Sequence, residues 1–151
     1  MCLHVCVYRV HFSRPGDVFL DSFREERTYI DVTITNVLRK TGIAKAAVEM
    51  GVTASLAYDN KLEGDGARLC AQRGCTFLAV AAESLGGWHA AAIPIIQQLA
   101  RQAALHTHSD CKSITTLLFR RLSVAIQRGN ARLIRSSPFF SDSFSSQAWD
   151  L

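Results

Sequence analysis

A continuous apolar run from Cys75 to Ala81 follows a long helical stretch, and it restricts the fold more than any other segment. Such a run, without polar alternation, is typical of a strand buried on both faces. The stretch before it, from Ile43 to Gln72, is rich in alanine and precedes Gly74, a residue suited to a helix C-cap. This stretch predicts one long helix or two, since a glycine weakens a helix and the stretch contains three: Gly51, Gly64 and Gly66. A helix followed by a buried strand implies a βαβ crossover and an α/β fold.

Two earlier segments supply further strands. Residues alternate cleanly from Tyr29 to Thr35, with apolar side chains on one face and Tyr29, Asp31, Thr33 and Thr35 on the other. Asp31 therefore faces away from the apolar side. Asp17 leads into a short strand, Val18 to Leu20, and the charged turn from Ser22 to Arg27 suggests a hairpin. The block from Leu3 to Phe12 is rich in valine and aromatic residues and also predicts a strand.

The C-terminal half is predicted to be helical. After a turn at 83–88, a helix containing Pro94 runs to about Leu105. A long amphipathic helix then extends from about Cys111 to Ile134, with Ser109 or Asp110 as its N-cap. The serine-rich segment 137–151 has no periodicity, so we expect it to be disordered. The prediction is a single domain over 1–136, a small mixed sheet flanked by helices.

Composition limits the class of protein. Seventeen Lys and Arg residues against 13 Asp and Glu, with a pI near 9.0, mildly favour a polyanionic partner. Five cysteines, an odd number among apolar neighbours, indicate reduced thiols and no disulfide-linked partner. No apolar run is long enough to span a bilayer, and the N-terminus lacks the features of a signal peptide. We therefore expect an intracellular protein, nuclear or cytoplasmic, with no membrane partner.

Asp17 and Asp31 are the residues that most suggest chemistry. A carboxylate inside a strand is costly to bury, so two on neighbouring strands indicate a metal ion or a paired base. Each has a simpler interpretation, because Asp17 can be a turn residue and Asp31 can pair with an arginine or the backbone. Glu83 is either an auxiliary ligand or the cap of the next helix, capping being favoured. Cys2, Cys6, His4 and His11 do not complete a zinc site.

Several segments together resemble a known family. They are RPGDVFL at 14–20, YIDVTITN at 29–36, Lys61 on an alanine-rich helix, Cys70 with Gly74, AESLGGW at 82–88 and RGNAR at 128–132. The combination resembles the C-terminal restriction-like endonuclease region of non-LTR retrotransposon reverse transcriptase polyproteins, or a host-encoded fragment of one. This resemblance covers most of the chain, and it implies the PD-(D/E)xK, or restriction-endonuclease-like, fold.

The resemblance also implies a site and a reaction. Asp17 and Asp31 would hold Mg²⁺ or Mn²⁺, and the activity would be Mg²⁺-dependent nicking or cleavage of DNA. The family places a lysine two residues after the second acid, where this chain has Thr33. Lys61 would take the role of that lysine as the third catalytic residue. DNA phosphates would bind surface arginines, for which the candidates are Arg120, Arg121, Arg128 and Arg132.

Other functions are compatible with the same residues. The chain carries no polymerase motif, which suggests a fragment of a longer element, truncated at its N-terminus. A fragment can keep the fold and be an inactive relic. A second alternative is a non-catalytic nucleic-acid-binding remnant that uses the four arginines, and a third is an inert α/β protein-interaction domain. The nuclease hypothesis requires the two aspartate carboxylates to approach each other on one face of the sheet.

Overall fold

The computed structural model describes residues 15–40 and 43–136, together with a two-residue strand near the N-terminus. Its elements are β1 (Val5–Cys6), β2 (Val18–Phe23), β3 (Glu26–Thr35), α1 (Ile43–Ala46), α2 (Val52–Leu62), α3 (Asp65–Gln72), β4 (Thr76–Glu83), α4 (Ala92–Thr107) and α5 (Cys111–Arg135). Two compact units are present, Met1–Leu99 and Ala100–Leu151. The predicted single domain over 1–136 stays a prediction. The segment 137–151 lies outside the described residues.

The sheet has the order β1-β2-β3-β4. The first three strands pair antiparallel, whereas β3 and β4 pair parallel over eight residues. Parallel neighbours need a crossover, which α1, α2 and α3 supply. The predicted small mixed sheet, the βαβ crossover and the long C-terminal helix are therefore confirmed.

Some predicted boundaries were wrong. The hairpin turn is only Arg24 and Glu25, both with positive φ (54° and 69°), so β2 continues to Phe23 and β3 begins at Glu26. Two central residues with positive φ match the right-handed twist of the strands they join. Only Val5–Cys6 of the predicted strand 3–12 is described.

The predicted helix 43–72 forms three segments rather than one or two. Gly51 adopts φ 83° and stands as the N-cap of α2, so α1 and α2 are separate. Gly64 is extended and separates α2 from α3. Gly74, with φ 62°, follows α3, and the Cys75 N–H donates to the Cys70 carbonyl at 2.9 Å. That bond ends the helix as predicted. Asp110 is the N-cap of α5, accepting from the Ser113 N–H at 2.7 Å.

The hydrophobic core lies on one face of the sheet. Strand residues and the first half of α4 meet there: Leu20, Phe23, Ile30, Val80, Ala92 and Ile95 are buried together, with Val18, Leu78, Trp88 and Leu99 against them. Burying each large apolar side chain contributes about 1.5–3 kcal/mol. Farther along β3, Val32 and Ile34 share this face but are 42% and 45% exposed. They pair with β4 on one side, but on the other side of β3 no described strand lies beside them, because β2 begins at Val18, opposite Ile30.

The opposite face carries α2 and α3. Ala79 and Ala81 of β4 are fully buried there, as is Ala54 of α2, and small side chains let a helix approach the sheet closely. In α3, a Cβ on Gly66 would lie 2.3 Å from the Pro15 carbonyl oxygen. Glycine is therefore required at this position for α3 to pack on the segment that leads into β2.

Gly66→Ala should lower the free energy of unfolding by about 1–3 kcal/mol, because the added methyl overlaps backbone that cannot move alone. Gly129→Ala in α5 is the matched control. A Cβ there meets nothing within 4 Å, so this variant should raise the free energy of unfolding by about 0.5–1 kcal/mol, because alanine has the higher helix propensity. Urea unfolding of both proteins checks the two signs. Equal effects would contradict the packing of α3 on Pro15.

Candidate functional site

Asp17 extends the pairing of β2 with β3. Its N–H donates to the Ile30 carbonyl at 2.9 Å, and its Oδ2 accepts from the Val32 N–H at 2.9 Å. The backbone of Gly16, the residue before it, lies against β3, since a Cβ on Gly16 would lie 3.0 Å from the Ile30 carbonyl oxygen. Asp17 is exposed, yet its carboxylate is oriented toward β3 rather than toward its own turn. The turn-residue interpretation therefore does not describe its contacts.

Asp31 and Lys61 form an ion pair that joins β3 to α2. The Lys61 Nζ lies 2.8 Å from the Asp31 Oδ2, and the side chains are 36% and 16% exposed. Asp31 projects from the middle of β3 away from the apolar side of the strand, as the alternation predicted, and this is the side on which α2 lies. The polar face of β3 is thus the face that α2 covers.

The pKa of Asp31 is raised above its usual value. Burial is the largest cause; the Lys61 hydrogen bond and charge lower the pKa, whereas a hydrogen bond and the charge from Asp17 raise it. Asp17 also lies next to this position, since its Oδ2 accepts from the N–H of Val32, the residue that follows Asp31. The structure brings together all three residues predicted for the site, from the segment before β2, from β3 and from α2.

The donor set suits a hard cation. Mg²⁺ prefers oxygen ligands, needs only one or two protein carboxylates and keeps several waters. No group of three or more His, Cys, Asp or Glu residues gathers among residues 15–40 and 43–136. Asp17 and Asp31 would therefore be the protein ligands of a cation here. Burial is the main cause of the raised pKa of Asp31 and the charge of Asp17 adds to it; a divalent cation would relieve this repulsion between the two carboxylates.

Thr33 stands where the resembling family has its lysine. It lies two residues after Asp31 on the same face of β3 and is half-buried. It carries no charge, and the ammonium that meets Asp31 comes from α2 instead. The spacing of residues in the sequence did not predict that Lys61 meets Asp31; only the resemblance pointed to Lys61.

Glu83 has a role that neither sequence interpretation described. It is only 6% exposed at the end of β4, and its Oε1 accepts from the Thr53 hydroxyl at 2.8 Å and the Thr53 N–H at 3.3 Å. Thr53 lies in the first turn of α2, so Glu83 caps α2 and not the helix that follows it. Glu83 lies beside Thr35 in the paired strands, four residues beyond Asp31. It is therefore too far along the sheet to be an auxiliary ligand of a cation held by the two aspartates.

The four arginines predicted to bind DNA lie along one groove of α5. Arg120, Arg121, Arg128 and Arg132 surround Val124, Ala125 and Gly129, and the groove has a volume of about 600 Å³. We call this surface the arginine groove. It spans about 18 Å of helix. Helix α5 contains no acidic residue, and no described carboxylate pairs with these arginines.

The cysteines in the described part of the chain do not gather into a metal-binding group. Cys70, Cys75 and Cys111 are free thiols, and burial raises the pKa of Cys70 to about 11, so this thiol is protonated at neutral pH. The side chains of Cys2, Cys6, His4 and His11 lie outside the described residues. No helix in the described part of the chain is both long and apolar enough to cross a membrane.

Comparison of the chain with protein-family models, with curated proteins and with solved structures found no match. The function proposed below is therefore argued from the residues and their geometry.

Lys61→Met should raise the pKa of Asp31 further, because it removes the group that lowers this pKa. Asp17→Asn should lower the pKa of Asp31, because it removes a neighbouring negative charge. Carboxyl ¹³C chemical shifts followed against pH measure both effects. An unchanged pKa of Asp31 in Asp17→Asn would show that the two carboxyl groups do not interact.

Proposed function

We propose that this chain is a restriction-endonuclease-like domain, derived from a retrotransposon endonuclease, that nicks or cleaves DNA with Mg²⁺ or Mn²⁺. The observation that carries the proposal is the meeting of Asp17, Asp31 and Lys61, which come from three separate segments of the chain. Two carboxylates with a lysine form the minimal set for metal-dependent phosphodiester cleavage.

The residues divide the chemistry between them. Asp17 is exposed, so substrate can reach its carboxylate, whereas Asp31 is half-buried and anchors the site to β3. A bound divalent cation would supply activation of a water molecule and neutralisation of phosphate charge. Lys61 would orient the attacking water or stabilise the negative charge that develops on the phosphate. Its side chain is 36% exposed.

The order of elements supports the same class of fold. Two antiparallel strands, a helical crossover, a parallel strand and a further helix follow one another, an order compatible with the fold that the resemblance implies. A fold alone does not establish an activity, so the proposal depends on the site.

A second candidate is nucleic-acid binding without catalysis. The arginine groove favours it, because no described carboxylate pairs with its arginines and they offer phosphate contacts whether or not the aspartates act. An inert protein-interaction domain is the third alternative, and it predicts neither nicking nor DNA retention.

Lys61→Met should lower the rate of plasmid nicking by about 10²–10³-fold, the usual loss on removing one group that stabilises developing charge. Asp31→Ala should abolish nicking, because it removes a ligand of the cation. Supercoiled plasmid incubated with Mg²⁺ or Mn²⁺ and separated on agarose measures both.

Asp21→Asn is the matched control, because Asp21 is an exposed aspartate of β2 outside the site. It should nick at the wild-type rate. If purified wild type and Asp31→Ala behave identically, the catalytic proposal fails.

Arg128→Gln should weaken DNA binding and reduce the slope of log K against log salt by about 0.9, because one phosphate contact is lost. Arg135→Gln removes a cation of the same helix that lies outside the arginine groove, so its slope should equal that of wild type. Fluorescence anisotropy of a labelled duplex without divalent metal measures the slopes. If both variants lose the same DNA affinity and the same slope, binding depends on the net positive charge of the helix and not on the arginine groove.

A further inference from the structure

Glu83 is a buried charged group that the proposed reaction does not use. A buried carboxylate is costly unless it is hydrogen-bonded, and Glu83 accepts two bonds from Thr53 through one oxygen. Its other oxygen is confined as well, since a Cβ on Gly87 would lie 2.8 Å from Oε2. The carboxylate is therefore held in one position at the end of β4.

A third side chain extends the network to β3. The hydroxyl oxygens of Thr35 and Thr53 lie 3.0 Å apart. Because Thr53 donates its one hydroxyl proton to Glu83, the Thr35 hydroxyl is the donor in this contact. The hydrogen bonds run from Thr35 through Thr53 to Glu83, in the direction that strengthens each bond. We call these three residues the threonine–glutamate network.

The network replaces a missing helix cap. The N-cap of α2 is Gly51, which offers no side-chain hydrogen bond. Glu83 supplies an acceptor and a negative charge at that helix end, where the helix dipole favours an anion. The start of α2 is therefore attached to the ends of β3 and β4.

The other attachment of α2 is the ion pair of the site. From Thr53 to Lys61 is eight residues of helix, about 12 Å, and from Thr35 to Asp31 is four residues of strand, about 13 Å. The two lengths agree, so a helix fixed at Thr53 and running antiparallel to β3 delivers Lys61 to Asp31.

We propose that the threonine–glutamate network is a positioning device that sets α2 along β3 and thereby places the Lys61 amine at the carboxylate site. Glu83 and Thr53 are positioning residues, because they act through α2 and do not touch the reacting groups. The effect on cleavage depends on the proposed function of the site, whereas the effect on the position of Lys61 does not.

Thr53→Val removes the hydroxyl and keeps the shape of the side chain. It should lower kcat for nicking by about 10- to 100-fold with little change in KM, since small misplacements of a reacting group cost this much. Thr53→Ser keeps the hydroxyl and should restore kcat. Ser55→Ala is the matched control, because Ser55 bonds only within α2, to the Gly51 carbonyl at 3.2 Å, and its loss should leave kcat unchanged.

Two further measurements separate positioning from stability. In a Lys61→Met background, Thr53→Val should cause no further loss of kcat, because there is no amine left to misplace. In the metal-free protein, NMR of the Lys61 ammonium should show faster proton exchange in Thr53→Val and Glu83→Gln than in wild type or Ser55→Ala.

The NMR measurement distinguishes the two possible failures. If wild type does not nick DNA but the ammonium responds as expected, the proposed function fails and the positioning role stands. Unchanged ammonium exchange in folded Thr53→Val, or an undiminished loss of kcat in the Lys61→Met background, would overturn the positioning role.

Discussion

The parallel pairing of β3 with β4 is the contact on which the other features of the site depend. It sets Asp31 beside Ala79 and Thr35 beside Glu83, and it requires the crossover that contains α2. Since Ala79 and Ala81 are small, α2 lies close enough for short polar side chains to reach it. A bulky residue at either alanine would separate the helix from the strands, and both polar attachments would be lost together.

Local patterns predicted those features that depend on local physics. The alternation in β3 placed Asp31 on the face away from the core, the apolar run predicted β4, and Gly74 and Asp110 marked helix ends. In each of these cases, burial or backbone conformation at one position determines the residue type.

Features that depend on distant neighbours were not predictable in this way. The exposure of Val32 and Ile34 follows from where β2 begins, and periodicity in β3 contains no information on that point. Glu83 caps a helix that precedes it by thirty residues in sequence, so a search for the nearest helix start selects the wrong partner. Lys61 was identified only through the resemblance, because a lysine on a helix face is usually solvated.

The match in length between α2 and β3 has a consequence for which sequence changes the chain tolerates. One residue inserted between Thr53 and Lys61 would rotate the lysine by about 100° around the helix and move it about 1.5 Å along the axis. The same insertion at the exposed Ser109, in the turn between α4 and α5, would change neither attachment, because that turn lies outside both. Among sequences that share this architecture, insertions and deletions should therefore be absent between positions 53 and 61 and tolerated in the turn between α4 and α5.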